Sequence, residues 1–234
     1  MTLYLIPVPL GKRRENLVLP EHTLETVRNL NAFIVENIRH AQSFLQWVNH
    51  PVPPYNIEFR VLNKKTPEEE VYGFLKLLEK GDVGLFSEAG APGVADPGAL
   101  LVKMAHNAGH RVVPLTGPSS ILLALMASGM NGQQFAFHGY LPVDESKRKN
   151  RITELEQEST RLNQTQIFME TPHRNDPLLE SLIGTCQSDT QICIACNLTL
   201  PDEQIISSPV YRWKQRKIPS FKGKPAIFLM LSHS

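Results

Sequence analysis

The sequence predicts an α/β protein of two unequal domains: an N-terminal doubly wound, mostly parallel sheet and a C-terminal mixed sheet. Three observations carry this reading. Short apolar runs alternate with amphipathic stretches through the first half, as strands and crossover helices do in a parallel sheet. Several of the apolar runs end in segments rich in Gly and Pro. After Met130 the texture changes, and two strand-like runs follow one another across Leu200, Pro201 and Asp202 with no helix between them. That arrangement suggests an antiparallel pair.

The elements follow in order. Strands are expected at 3–7, 32–36, 83–87 and 111–115, with a more polar one at 56–62. Helices are expected at 21–30, 39–48, 67–79, 97–108 and 119–128. The third has Thr66 as its N-cap, Pro67 at the first helical position and Glu69 closing a capping box. Gly81 stands just past its last turn, and Val71, Phe74, Leu75 and Leu78 recur at helical spacing. Beyond the polar connector 131–134 come a strand at 135–140, a charged helix at 145–162, a strand at 166–170 and a shorter helix near 176–183. Strand-like runs at 191–198, 204–210 and 226–231 complete the chain. The domains are accordingly 1–130 and 131–234.

Composition is that of an ordinary globular protein: 234 residues, 41% hydrophobic and 20% charged. No apolar run approaches the roughly 18 residues of a membrane span. At the N-terminus the charges follow the apolar stretch, the reverse of a secretory signal, so a buried first strand is expected. A net charge of +1 means that contact with nucleic acid must use a local patch rather than a global field. Three cysteines make no disulfide framework and favour a reducing compartment, hence the cytoplasm. Cys193 and Cys196 lie three apart on an apolar run, which sends their side chains to opposite faces of a strand. With no second Cys or His pair at ligand spacing, core packing is favoured over redox or metal chemistry.

In an open parallel sheet, ligands bind beyond the carboxyl ends of the strands, and the informative segments fall there. They are Pro7-Val8-Pro9-Leu10-Gly11, the loop 88–98, Thr116-Gly117-Pro118-Ser119-Ser120 and Thr171-Pro172-His173-Arg174. Taken alone, the short segment at 116–120 reads as a plain connection, with Ser119 as a helix cap. The loop 88–98 does not. Three glycines, two prolines and two acids in eleven residues exceed what turning a chain requires. No Walker or dinucleotide-binding glycine pattern is present. By elimination the loop suits a ligand with an adenosine ring, a short zwitterionic tail and a sulfonium, held by backbone groups and apolar walls.

Taken together, these segments resemble the tetrapyrrole-methylase superfamily of S-adenosylmethionine-dependent methyltransferases. The nearest branch looks like the bacterial enzymes that methylate a cytidine 2′-hydroxyl in small-subunit ribosomal RNA. The motifs that carry the resemblance are Pro7 to Gly11, Glu36-Asn37-Ile38-Arg39-His40, Ser87 to Gly98 and Leu115 to Ser120. Gly139-Tyr140-Leu141-Pro142, Glu170 to Arg174 and Ala195-Cys196-Asn197-Leu198-Thr199 complete it. In this chain Asn37 and Ile38 stand where the branch has Asp and Thr, and Glu88 stands where it has Asp.

The resemblance implies a homodimer of two-domain subunits, with S-adenosylmethionine in the cleft between the domains. It places the cofactor against Pro9, Leu10, Gly90, Ala91, Pro92, Gly93, Val94, Ser119, Ser120, Met169, Cys196, Pro225 and Ala226. The implied catalytic set is Glu36, Arg39, His40 and Glu88, with His173 and Arg174 binding substrate. If the acceptor is a hydroxyl, a base must take its proton; Glu36, Glu88 and His40 are the candidates, and Arg39 and Arg174 would hold an anionic substrate. Each has a plainer alternative: a structural ion pair for Glu36 and Arg39, a helix start for His40, interface packing for His173 and Arg174. RNA is the expected target, reached through Arg39, Arg174 and the stretch 211–217, where Tyr211 and Trp213 interleave with Arg212, Lys214, Arg216 and Lys217 and would stack on bases. The basic run 147–151 reads as a solvated helix face. Two other readings stand beside it: methylation of a small anionic or tetrapyrrole-like metabolite, and a catalytically idle cofactor-binding relative. No metal and no membrane partner are expected.

Overall fold

The computed structural model describes residues 1–11 and 18–233. The chain divides into two compact units of nearly equal length, Met1–Ser119 and Ser120–Ser234.

The first unit holds strands β1 (Thr2–Leu5), β2 (Ala32–Val35), β3 (Glu58–Val61), β4 (Val83–Phe86) and β5 (Arg111–Pro114). They pair in the order β3-β2-β4-β1-β5, every pair parallel. Helices α1 (Glu21–Arg28), α2 (Ile38–Trp47), α3 (Glu68–Lys80) and α4 (Gly98–Asn107) connect them. Period-two alternation gives each face its own core. Phe33 and Val35 pack with Val27 of α1 and Phe44 and Leu45 of α2. Ile34, between them in sequence, packs with Val71 and Phe74 of α3 and Leu101 of α4. Helices on both faces are why the central strands read as nearly unbroken apolar runs. Gly84 sits at the centre of β4 because nothing larger fits. An added Cβ would lie 2.6 Å from Ile6 Cδ1 and Phe33 Cδ1.

Three local expectations are corrected here. Helix α3 takes Pro67 as its N-cap without a side-chain cap bond, and Pro67 is extended at φ −62, ψ 146. Thr66 instead accepts the Asn63 N–H at 2.9 Å, closing the turn after β3, so no capping box forms. Gly81 ends that helix in extended backbone at φ 177; it is a stop, but not a left-handed one. The polar strand begins at Glu58 because Pro54–Asn56 makes a 3-10 turn, which Pro53 and Pro54 favour by fixing φ.

The second unit contains α5 (Ser120–Ser128), β6 (Phe135–Tyr140), α6 (Glu145–Leu162), β7 (Thr165–Met169), α7 (Asn175–Thr185), β8 (Gln191–Cys196), β9 (Gln204–Pro209), α8 (Val210–Gln215) and β10 (Ala226–Leu231). Its sheet runs β6-β7-β10-β8-β9. Strands β6 and β7 are parallel across the α6 crossover, and the remaining pairs are antiparallel. The charged helix α6 starts on the Asp144 side chain, which accepts the Lys147 N–H at 2.9 Å, and stops at Asn163 in the left-handed region. One core joins Ile152 and Leu155 of α6, Leu178 and Leu182 of α7, and Phe168, Ile194 and Phe228 of the sheet.

The division falls before α5, where the sequence reading placed it after. That helix packs on β8, β9 and β10, and the Ser207 hydroxyl donates to the Ser128 carbonyl at 2.8 Å. The run expected as a strand through 210 breaks at Pro209, and α8 follows it. Trp213 is fully buried and donates its indole N–H to the Ile192 carbonyl at 3.0 Å. Among the described residues, no helix is long and apolar enough to cross a membrane.

Candidate active site

In the first unit, the chain moves outward from β1 to β2 and β3, returns beside β1 as β4, and places β5 on its other side. The loops after β1, β2 and β4 therefore leave from neighbouring carboxyl ends, where such a sheet binds ligands. Val8 and Gly90 tie two of these loops together by exchanging N–H···O bonds of 3.0 and 3.1 Å. The loop 88–98 is braced from within. Asp96 Oδ1 accepts the N–H groups of Gly93 and Gly98, both at 2.8 Å. Gly90, Gly93 and Ala95 adopt φ of +73, +82 and +61, backbone that side chains other than glycine rarely take. At Gly93 an added Cβ would meet no protein atom within 4 Å.

Glu36 follows β2 and reaches this loop, where its Oε2 accepts the Glu88 N–H at 3.2 Å. Burial raises its pKa above the ordinary carboxylate range, and the nearby charges of Glu88 and Asp96 add to the rise. The Glu88 N–H and, more weakly, Lys64 act the other way. Asn37 caps α2, accepting the N–H groups of Arg39 at 2.9 Å and His40 at 3.4 Å, so Asn serves here as the acid would. This places His40 in the first helical turn, with Nδ1 3.0 Å from Glu88 Oε1. Both side chains are at least half exposed, and an exposed pair of this kind adds little stability. Arg39 beside it is exposed and forms no ion pair among the described residues.

Glu36, His40 and Glu88 line one cavity of about 520 Å³ together with Pro9 and Leu10. Its inner wall is apolar and aromatic: Val35, Phe86, Phe44 and Trp47. Phe44 and Trp47 lie with ring centroids 6.0 Å apart at an angle of 30°. The sequence reading passed over Ser43, Phe44 and Trp47. The signal was there, since with His40 they recur at i, i+3, i+4 and i+7 along α2, one helical face. Periodicity alone cannot tell a core stripe from a cavity wall.

In the second unit, strand register brings several expected cofactor residues to one end of the sheet. Met169 of β7 pairs with Ile227, and Cys196 of β8 pairs with Ala226. Pro225 accepts the Asn197 N–H at 3.0 Å. Cys196 is fully buried and belongs to the unit's core, and burial pushes its thiol up to about 12. Cys193 is fully buried as well, its thiol likewise pushed up to about 12. Ser119 ends the first unit and Ser120 begins the second, as the first residue of α5.

Expectations on the substrate side need two corrections. Arg174 does not project freely: its Nη2 and Nε bond Glu170 Oε1 at 2.5 and 3.0 Å. The Glu170 side chain is 1% exposed, and a carboxylate so buried requires a charged partner. His173 beside it is exposed. Trp213 cannot stack on a base, being buried under the Arg216 guanidinium, which lies 4.6 Å from its ring centroid. The run 147–151 is spent locally. Lys149 pairs with Glu145 and Arg151 with Glu154, while Arg148 is buried against Ser181 and the Val143 carbonyl.

Comparison with known proteins adds to this geometry. The family described as tetrapyrrole (corrin/porphyrin) methylases matches residues 2–213. Ribosomal RNA small subunit methyltransferase I of Vibrio cholerae is 29% identical over 209 residues, covering 89% of this chain and 68% of that protein. The protein of the same name from Buchnera aphidicola subsp. Schizaphis graminum is 32% identical over 203 residues, covering 87% and 67%. Among solved structures, that of the methyltransferase CobJ superposes with a TM-score of 0.62 at 16% identity, covering 99% of this chain and 93% of that one. At that identity the likeness is one of fold.

Proposed function

Because this chain belongs to the tetrapyrrole (corrin/porphyrin) methylase family and is therefore a methyltransferase, we propose that it methylates a hydroxyl of ribosomal RNA with S-adenosylmethionine as donor. The observation that carries the reading is the meeting of Glu36, His40 and Glu88 with Pro9 and Leu10 around one cavity, beside the braced loop 88–98. The choice of RNA follows the names of the relatives.

The residues fit the donor. Its amino, carboxylate and adenosine groups call for backbone partners and close apolar walls. The loop offers left-handed glycines, open space at Gly93 and an exposed Val94. Pro9, Leu10, Gly90, Ala91, Pro92, Gly93 and Val94 would hold it in the first unit, with Ser119 and Ser120, and Met169, Cys196, Pro225 and Ala226 contribute from the second. When bound, S-adenosylmethionine supplies an electrophilic methyl group. The chain's own part is to align the acceptor, keep water away and remove one proton. Glu36 takes that proton, since its burial keeps the carboxylate basic. His40 and Glu88 orient the acceptor, and the exposed Arg39 meets a phosphate. A cytoplasmic location goes with this substrate.

Incubating the protein with methyl-labelled donor in a bacterial lysate, then separating RNA, protein and small molecules, tests the reading. Label is expected in the RNA. Label confined to the small-molecule fraction would transfer the assignment to a metabolite, and label nowhere would make the chain an idle relative.

The same proposal includes a homodimer. Helix α5 leaves Leu122 50% and Met126 78% exposed, and the edge strand β6 exposes Phe135 and Tyr140. Apolar surface of this kind on a helix and an open edge is characteristic of association. Sedimentation is expected to give twice the chain mass of 26.3 kDa. A single-chain mass across a wide concentration range would contradict it.

A further inference from the structure

The cavity against α2 has a feature that methyl transfer to a hydroxyl does not itself require. Its floor is aromatic and its rim is charged. Phe44 and Trp47 present nearly parallel rings, flanked by Val35 and Phe86, and Trp47 is half-buried rather than sealed in the core. At the rim stand the carboxylates of Glu36 and Glu88. Arg39, without an ion-pair partner among the described residues, is one position from His40 on the same helix. None of the loop residues 90–94 expected to hold the donor lines this space, whereas three of the four expected catalytic residues do.

We propose that this cavity receives the base of the acceptor nucleotide, turned out of its strand, with the base stacked on the Phe44–Trp47 wall. Sequence-specific RNA recognition works on unstacked bases held against aromatic side chains, and an enzyme that must reach a single nucleotide extrudes it into a pocket. Carboxylates at the rim accept from an exocyclic amine, so the pocket favours a base that carries one. About 520 Å³ lies within the range of small-ligand sites and has room for a base with part of its ribose. A ribose entering with its base would lie at the rim by Glu36, and Arg39 would meet the adjoining phosphate. The inference rests on the RNA reading above but goes beyond it, since it names the subsite and the edge that is read.

Two measurements separate the inference from that reading. The first is quenching of Trp47 emission by short single-stranded oligocytidylate and oligouridylate. Trp213 is fully buried, so a quench that disappears in Trp47→Phe reports the cavity. Oligocytidylate is expected to quench more strongly than oligouridylate, which lacks the amine. The second is transfer kinetics of Trp47→Ala beside Trp47→Phe. Trp47→Ala is expected to raise the KM for RNA about tenfold or more, as loss of one stacked base does, with donor affinity by calorimetry unchanged. Trp47→Phe should restore most of the loss. Absence of quench by either oligonucleotide overturns the proposal, as does an unchanged KM in a folded Trp47→Ala protein. Equal losses in donor and RNA affinity would assign the cavity to the donor instead and also overturn it. Quenching without any methyl transfer to RNA by the unmodified protein would sink the RNA-methylation reading and leave the base pocket standing.

Discussion

Glu36→Gln is expected to lower the rate of methyl transfer by about 10²–10⁴-fold, the usual contribution of a positioned general base, with donor affinity nearly unchanged. Gln is close to isosteric and can still accept the Glu88 N–H, so the loop contact survives while the proton acceptor is lost. The pH profile supplies the second readout. The reactive form is the carboxylate, and burial together with the charges of Glu88 and Asp96 raises its pKa. Activity in the unmodified protein should therefore fall as pH drops through a value above the ordinary carboxylate range, and the variant should lose that limb. Equal rates in the two proteins would reduce Glu36 to a brace for the Glu88 backbone. His40→Ala should cost less, because its contact with Glu88 is exposed and weak.

Gly93→Val is expected to weaken donor binding about 10- to 100-fold while leaving the fold intact. Gly93 has φ +82, and forcing a branched residue into that region costs on the order of 1–3 kcal/mol. The loop can relieve the strain only by turning the peptide whose N–H bonds Asp96, and that moves the segment proposed to hold the donor. No protein atom stands in the way of the new side chain, so the thermal midpoint should shift little. Calorimetry with S-adenosylmethionine, beside a melting curve, checks both halves. Undiminished affinity in Gly93→Val would remove this loop from the donor site. Gly93→Ala should move in the same direction by a smaller factor.

The periodicity of the sequence by itself determined the alternation of strands and helices in the first unit. Phe33, Ile34 and Val35 show the reason, since a strand buried on both faces must be apolar at every position, and such runs stand out between amphipathic helices. The same holds for α6, whose bounds Asp144 and Asn163 mark by side-chain chemistry that acts within one turn. The motifs that identify the family were also legible, because the backbone shapes of the loop 88–98 demand glycine wherever φ is positive.

What only the tertiary structure decided are the features that depend on partners distant in sequence. Thr66 carries every local sign of a helix cap, yet its hydroxyl closes the turn behind it. Trp213 and Arg174 looked like exposed recognition residues. The Ile192 carbonyl buries the first and the buried Glu170 carboxylate claims the second, the first of these partners being remote in sequence. The reverse happened on α2, where a face that reads as ordinary core is the wall of a cavity, because β1, β2 and β4 end short of it. Local rules determine the backbone within a turn or a strand. Whether a side chain is core, ion pair or site depends on which surface the fold carries to it, and that information is spread over the whole chain.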